Sequence, residues 1–443
     1  MNVDLDSRQD YFRRVISNFF ILLGGRAAGG ILFFLATMVS ARLLEPRDLG
    51  FMVILHAYVM MVRGIVTVRP FEAIVKYGTT ALDNFEFDRL GRLFYTSLKL
   101  DLASALIGTA VAIFGLKLLI KSGHFDAEYS LIGYTYCLLI LLASDSTAVG
   151  ALRILNKFNT ISYCLVFGAI VRLAGMALIY KNDMISFNTV ASVWFISSSV
   201  QYLLLQVTGW RQILHTLPKS FSAYTTTLSS CGKENDGIWK FLHIVYWQSS
   251  LDLIPKRAGI LFSGFLLSPE SAAMFRIASD LSGVLSKPAQ LVRQAIFPDL
   301  TRLREKKDGT GFLNLALKVA LTVTIPAALL GMLSIWFGEE LISLTFGSTY
   351  NAASTLLTLL VISATFELAG SPLRPLLYAS DNAGYSLATQ VFATLAYIVV
   401  FVTGTTTLAL LTPGIASITL NFLVLVLSVI IIFCSNHLLK YSS

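Results

Sequence analysis

The sequence predicts an all-α, polytopic membrane protein of about twelve transmembrane helices in two six-helix lobes, and three observations carry that expectation. The first is composition: hydrophobic residues make up 55% of the chain and charged residues only 14%, far below the charged share of a soluble domain. The second is the form of the apolar runs, which have helical length and lack the ten-residue alternation of outer-membrane strands, so they imply a bundle rather than a barrel. The third is an internal echo. Leu43-Leu44-Glu45-Pro46 returns about half the chain length later as Leu266-Leu267-Ser268-Pro269, and the stretch Leu152 to Asn159 is followed at nearly the same offset by Leu377 to Gly384. Two anchors in register imply a duplicated unit. Six helices per half give both halves one orientation, related by an axis along the membrane normal, with a substrate site expected between them at mid-depth.

Apolar runs between polar punctuation place helices near 15–43, 50–76, 89–120, 129–156, 158–181, 187–214, 238–267, 270–300, 312–337, 351–379, 383–410 and 413–438. In the first, Arg26 sits between Gly24-Gly25 and Gly29-Gly30, a cation at membrane depth where another helix can approach closely. A leader carrying Asp4, Asp6 and Asp10 beside Arg13 and Arg14 suits a retained first helix better than a cleaved export signal. Between the sixth and seventh runs lies Thr216 to Gly237, rich in Ser and Thr, the longest polar gap in the chain. The expected organisation is therefore an N-terminal lobe 1–215, a cytoplasmic linker 216–237 and a C-terminal lobe 238–443.

Orientation follows from the loop cations. The termini and even-numbered connections hold Arg8, Arg13, Arg14, Lys76, Arg89, Arg92, Arg153, Lys157, Arg211, Lys219 and Lys233 among others, an excess of about seventeen to five over the opposite side. Both termini are thereby expected in the cytoplasm. The net charge of +8 needs no nucleic-acid partner, because these cations lie in short scattered loops and form no basic domain with interleaved aromatics. Cys137, Cys164, Cys231 and Cys434 form no CxxC pair, and the five histidines form no metal-ligand spacing, so neither a disulfide nor a metal site is expected.

Charges inside the apolar runs carry the functional signal. Arg26, Arg63, Arg69, Lys99, Arg172, Lys256, Arg257, Arg276, Lys287, Arg293, Lys318 and Arg374 outnumber Glu72, Asp101, Asp145, Asp252, Asp280 and Glu367. Each charge placed centrally costs roughly 2.5 to 3.5 kcal/mol, so an uncompensated basic interior favours an anionic ligand. Lys99, Lys287, Arg293, Lys318 and Arg374 lie near helix ends and can snorkel to the headgroups. Asp252 with Lys256, and Arg276 with Asp280, have the i,i+4 spacing of neutralising pairs on one helical face, and a structural and a ligand-binding role stay equally open for them. Arg26, Arg63 and Arg172 have no acid three or four residues away and are the first candidates for a cavity. Asp145, Asp252 and Glu367 are candidates for coupling to a proton or sodium ion, because a carboxylate at membrane depth can change protonation or ligate an ion. The 12% aromatic content is read as interfacial belts rather than sugar-stacking platforms.

Several stretches resemble the Wzx-type oligosaccharide-lipid flippases of the multidrug/oligosaccharidyl-lipid/polysaccharide (MOP) exporter superfamily. They are Asn18, Leu22-Leu23 and Gly25-Arg26; Ala41-Arg42 with Leu44, Pro46 and Leu49-Gly50; and Leu152-Arg153 with Asn156-Lys157-Phe158. Asp252, Met274-Phe275-Arg276-Ile277-Ala278 and Phe297-Pro298-Asp299-Leu300 extend the match over nearly the whole chain. Pro255-Lys256-Arg257 departs from it, interrupting a helix that is usually more apolar.

The resemblance implies a MATE-like bundle that flips an undecaprenyl-pyrophosphate-linked oligosaccharide repeat unit across the bacterial cytoplasmic (inner) membrane. The setting would be O-antigen, lipopolysaccharide or exopolysaccharide assembly, by alternating access through a basic central cavity. On that reading Arg26, Arg63, Arg172, Lys256, Arg257 and Arg276 bind the pyrophosphate, since a guanidinium fork can bond two oxygens and stays charged when desolvated. The implied partners are the polyprenyl-linked oligosaccharide, the lipid bilayer, and the polymerase and chain-length components of the pathway. No cofactor is implied beyond a coupling proton or sodium ion. An ion-coupled multidrug exporter of the same superfamily is the alternative, but a pump for cationic drugs calls for an acidic interior. A membrane O-antigen ligase or polymerase is more remote, because the external connections here are short and gather no cluster of His, Glu and Arg.

Overall fold

The structure is a computed structural model that describes residues 24, 27–284, 309–379 and 383–439; the expected pyrophosphate ligand Arg26 lies outside them. All regular structure among the described residues is helical. The chain divides into two compact units, one of residues 1–44 with 55–253 and one of 45–54 with 254–443.

The first unit is built from α1 (Ala27–Leu43), the greater part of α2 (Pro46–Val66) and α3 (Phe87–Lys121). It continues with α4 (Ser130–Cys137, extended by Leu139–Leu142), α5 (Ser146–Ile154), α6 (Phe158–Lys181) and α7 (Phe187–Thr216). Pro46 opens α2 at a position where a missing N–H costs nothing, and Asp48 in the first turn complements the helix dipole. A capping box between Ser186 and Thr189 starts α7.

Two runs expected to be continuous are broken. The run at 50–76 leaves the helix after Val66, because Pro70 disfavours helical backbone just before it, and Arg69 takes a left-handed φ of 56°. The run at 129–156 opens at Ala143, Ser144 and Asp145, where short polar side chains compete with the helical ladder.

The polar gap 216–237 is a folded part of the first unit. Tyr224 and Cys231 are buried with Leu90, Leu93, Phe94, Ile213, Ile238 and Leu242. Gly91 makes this possible, since a Cβ there would run into the Tyr224 ring. The segment's three buried hydrophobic side chains, Leu217, Tyr224 and Cys231, are what a reading of overall polarity passes over. Lys99 donates to the Thr226 carbonyl at 2.9 Å, and Arg92 pairs with Glu234 at 2.8 Å, tying the same segment to α3.

The second unit comprises α8 (Ile238–Phe262), whose last residues belong to it, a helix at 269–284 (α9), α10 (Gly309–Thr345), α11 (Ala353–Gly370), α12 (Ala383–Gly404) and α13 (Thr412–Leu439). Here the two copies of the first sequence anchor meet. A Cβ on Gly50, one turn into α2, would overlap the Pro269 carbonyl, so the backbones following the two Leu-Leu-x-Pro turns touch directly.

Nine helices among the described residues are long and apolar enough to cross a membrane, and Ala27–Leu43 and Arg257–Leu267 are shorter apolar helices. Their outward faces are apolar: Leu102, Leu106, Phe114 and Leu118 on α3, and Leu321, Ile325, Leu329 and Trp336 on α10, are exposed. Water would make such surfaces costly and lipid does not. The chain is a multi-pass membrane protein.

Candidate functional site: a charged cluster at a broken helix

Opening a helix inside the membrane frees backbone carbonyls that no water can satisfy. At the break between α4 and α5, side chains of two other helices supply the missing donors. Gln206 of α7 donates to the Leu142 carbonyl at 2.6 Å, and Arg63 of α2 donates to the Ala143 carbonyl from Nη2 at 2.8 Å and Nε at 3.2 Å. The same Nη2 lies 2.7 Å from Asp145 Oδ1, an ion pair in which the acid is largely buried and the arginine side chain keeps 26% of its surface exposed. Tyr202 of α7 stacks against the guanidinium, 4.9 Å from ring centroid to Cζ, and its hydroxyl is 3.4 Å from Nη1.

The start of α5 is held from a third helix. Asp101 of α3 accepts from the backbone N–H and the hydroxyl of Thr147, both at 2.6 Å and both on Oδ2. The first turn of a helix has N–H groups without intrahelical partners, so Asp101, accepting from one of them, serves as a cap from outside the helix it caps. It is 2% exposed.

Arg172 of α6 occupies a different place in the same unit. It is 5% exposed, donates from Nε to Ser197 Oγ at 2.9 Å and from Nη2 to Ser198 Oγ at 2.7 Å, and lies between the rings of Phe33 and Trp194 at 4.6 and 4.5 Å. Nearby, His56 Nδ1 is 2.8 Å from Tyr136 Oη, and Trp194 donates to Ser40 Oγ at 3.2 Å.

The structure thus brings Arg63 and Asp145 together, two residues that the sequence assigned to separate roles in ligand binding and ion coupling. In the second unit, Arg276 and Asp280 form the expected i,i+4 pair on α9 at 2.9 Å. Arg257 and Glu367 are half-buried on α8 and α11. Asp252 and Lys256 fall in α8, but their side chains are outside the described residues. Sequence reasoning missed Asp101, Thr147, Gln206 and Tyr202 as parts of one site. The signal for them was the polar triplet Ser144-Asp145-Ser146 in mid-span, which marks a break needing donors from elsewhere. Among the described residues no group of three His, Cys, Asp or Glu side chains could hold a metal ion.

No protein-family model matches the chain. It is 24% identical over 346 residues, covering 78% of this chain and 96% of the relative, to inner membrane protein YghQ of Escherichia coli (strain K12). Among solved structures it is similar to an inward-facing multidrug resistance MATE family transporter of the MOP superfamily. That match has a TM-score of 0.71 at 14% identity and covers 94% of this chain and 96% of that one. It is similar also to the lipid II flippase MurJ in an inward closed conformation, with a TM-score of 0.67 at 15% identity over 93% and 87% of the two chains. A MOP superfamily transporter from Pyrococcus furiosus, described by a reverse polarity of its binding pocket, matches with a TM-score of 0.64 at 12% identity over 96% and 95%. At these identities the likeness is one of fold: the chain has the fold of MOP superfamily transporters.

Proposed function

We propose that this protein flips an undecaprenyl-pyrophosphate-linked oligosaccharide repeat unit across the bacterial cytoplasmic membrane by alternating access, supplying O-antigen or exopolysaccharide assembly. The observation that carries the reading is the placement of two guanidinium groups, Arg63 and Arg172, in the membrane-spanning helices of one unit, each fixed in orientation by hydrogen bonds and an aromatic face. Arg63 keeps part of its surface open and, among the described residues, Nη1 faces only a long contact to Tyr202, so it can turn a donor to a phosphoryl oxygen without leaving Asp145. A lipid II flippase among the similar folds supports a lipid-linked substrate. Arg26, Lys256, Arg257 and Arg276 remain proposed contributors to binding the pyrophosphate, and the polymerase and chain-length components remain proposed partners.

A second reading, an ion-coupled multidrug exporter, is favoured by the similarity to a MATE transporter and by the carboxylates of the cluster. Reconstitution separates the two. Proteoliposomes holding the full chain should move a pyrophosphate-linked oligosaccharide lipid between leaflets, and Arg63→Ala should reduce that rate at least tenfold. Movement of a cationic dye in place of the anionic lipid would establish the second reading. Reporter fusions at Lys121, Lys181 and Glu339 should report the external side, and a cytoplasmic signal from any of them would reverse the proposed orientation with both termini inside.

A further inference from the structure

The cluster at the break holds two carboxyl groups, Asp101 and Asp145, and one guanidinium, Arg63. With both acids ionised it would carry one uncompensated negative charge at membrane depth, an arrangement that needs one more monovalent positive charge to be neutral. The two acids are not equivalent. Asp145 is matched by Arg63 at 2.7 Å. Asp101 receives both of its shown donors, the N–H and hydroxyl of Thr147, on Oδ2, while Oδ1 is buried and has no hydrogen-bond partner among the described residues. An ionised carboxylate calls for donors on both oxygens, and burying one without a donor is costly.

The groups around Asp101 narrow the source of the charge. Those acting on it electrostatically are Asp145 at the break and Arg63 from α2, and Thr147 of α5 supplies the hydroxyl. Lys99, two residues earlier on α3, is turned to the Thr226 carbonyl and the Tyr95 ring. Tyr202 lies over Arg63, and His56, two turns before Arg63 on α2, is bonded to Tyr136.

We infer that Asp101 carries a proton on Oδ1 in this conformation, and that this proton is the positive charge exchanged when the break at 143–145 rearranges. In the exchange the Oδ1–H bond breaks, its electron pair stays on the carboxylate, and the proton passes to water admitted at the break. The carboxylate left behind is a stronger acceptor for Thr147 and a second anion for Arg63, so release tightens the cap of α5 while loosening the hold on Asp145. The use of this proton in coupling rests on the transport reading; the protonated carboxyl itself does not.

The test is infrared difference spectroscopy of the full chain in lipid nanodiscs on a pH change, which reads the C=O band of a protonated carboxyl and needs no substrate. The band should disappear in Asp101→Asn, which keeps an oxygen for Thr147, and persist in His56→Gln. Thr147→Val removes one donor from Oδ2 and should shift the band in frequency, which decides the matter even if Asp101→Asn accumulates poorly. A band that survives Asp101→Asn, or that Thr147→Val leaves unmoved, would overturn the inference. So would a band that sodium removes at fixed pH, which would make the site one for an alkali cation. Absence of transport with the band present would instead count against the transport reading alone.

Discussion

Two Arg–Asp pairs of similar length, one in each unit, hold very different things. Arg276 and Asp280 are four residues apart on one helix, and each side chain keeps about a fifth of its surface exposed. Arg63 and Asp145 are 82 residues apart, and their pair closes a gap in a helix that neither the α2 nor the α4 sequence could close alone. Removing the first pair takes away a local attraction between two side chains already placed by the same helix. Removing Arg63 leaves a buried carboxylate and a broken-helix carbonyl without their donor. The same two residue types therefore differ in weight according to what their absence would strand.

This difference fixes the order of expected effects. Arg63→Ala should be the most damaging, lowering stability by about 3–5 kcal/mol, because it uncovers Asp145 and the Ala143 carbonyl together. Reduced accumulation and a lowered unfolding midpoint of the purified chain would show it, and unchanged stability would remove the structural half of the account. Gly91→Val should cost about 1–3 kcal/mol by displacing the Tyr224 ring and loosening the 216–237 segment from α3. Limited proteolysis within that segment would check it. Arg276→Ala should cost less, about 0.2–0.5 kcal/mol, the range of an i,i+4 pair whose side chains the same helix already places.

The smallest effects belong to the exposed rim of the first unit. Lys219 donates to Asp88 at 2.8 Å, which raises the lysine's affinity for its proton, but both groups are well exposed. Lys219→Ala should leave the unfolding midpoint unchanged within error at neutral pH. What the pair does contribute is present below the ordinary lysine range and is lost as the pH rises through the raised value, so the wild type and Lys219→Ala should converge in strong alkali. Burial pushes the Cys231 thiol up, so a maleimide should spare Cys231 until the protein unfolds.

Much of the fold was legible because lipid imposes a one-dimensional rule. Runs of apolar residues bounded by polar ones gave the helices at 158–181 and 187–214 within a few residues of α6 and α7. The interruption after Val66 was not legible in apolarity alone, since the run at 50–76 reads as one helix, although Pro70 is its cause. The site was legible only in its ingredients. Arg63, Asp101 and Asp145 each stood out as a charge in an apolar run, and the local pair Arg276–Asp280 could be read directly from its spacing. That Arg63 would meet Asp145, or that Asp101 would cap α5 through Thr147, depends on how α2, α3 and the broken helix pack. No periodicity within one segment encodes a contact 46 or 82 positions away. The packing of the 216–237 segment was hidden for a related reason, because its many Ser and Thr residues conceal Leu217, Tyr224 and Cys231, which the core takes up.

The most direct test of the contrast is a pair of double-mutant cycles on equilibrium unfolding in mixed micelles, one for Arg63→Ala with Asp145→Ala and one for Arg276→Ala with Asp280→Ala. A coupling of about 2 kcal/mol or more is expected for the first pair and one below about 0.5 kcal/mol for the second. Equal couplings, or a larger one for Arg276 and Asp280, would contradict the claim that Arg63 and Asp145 hold the broken helix together.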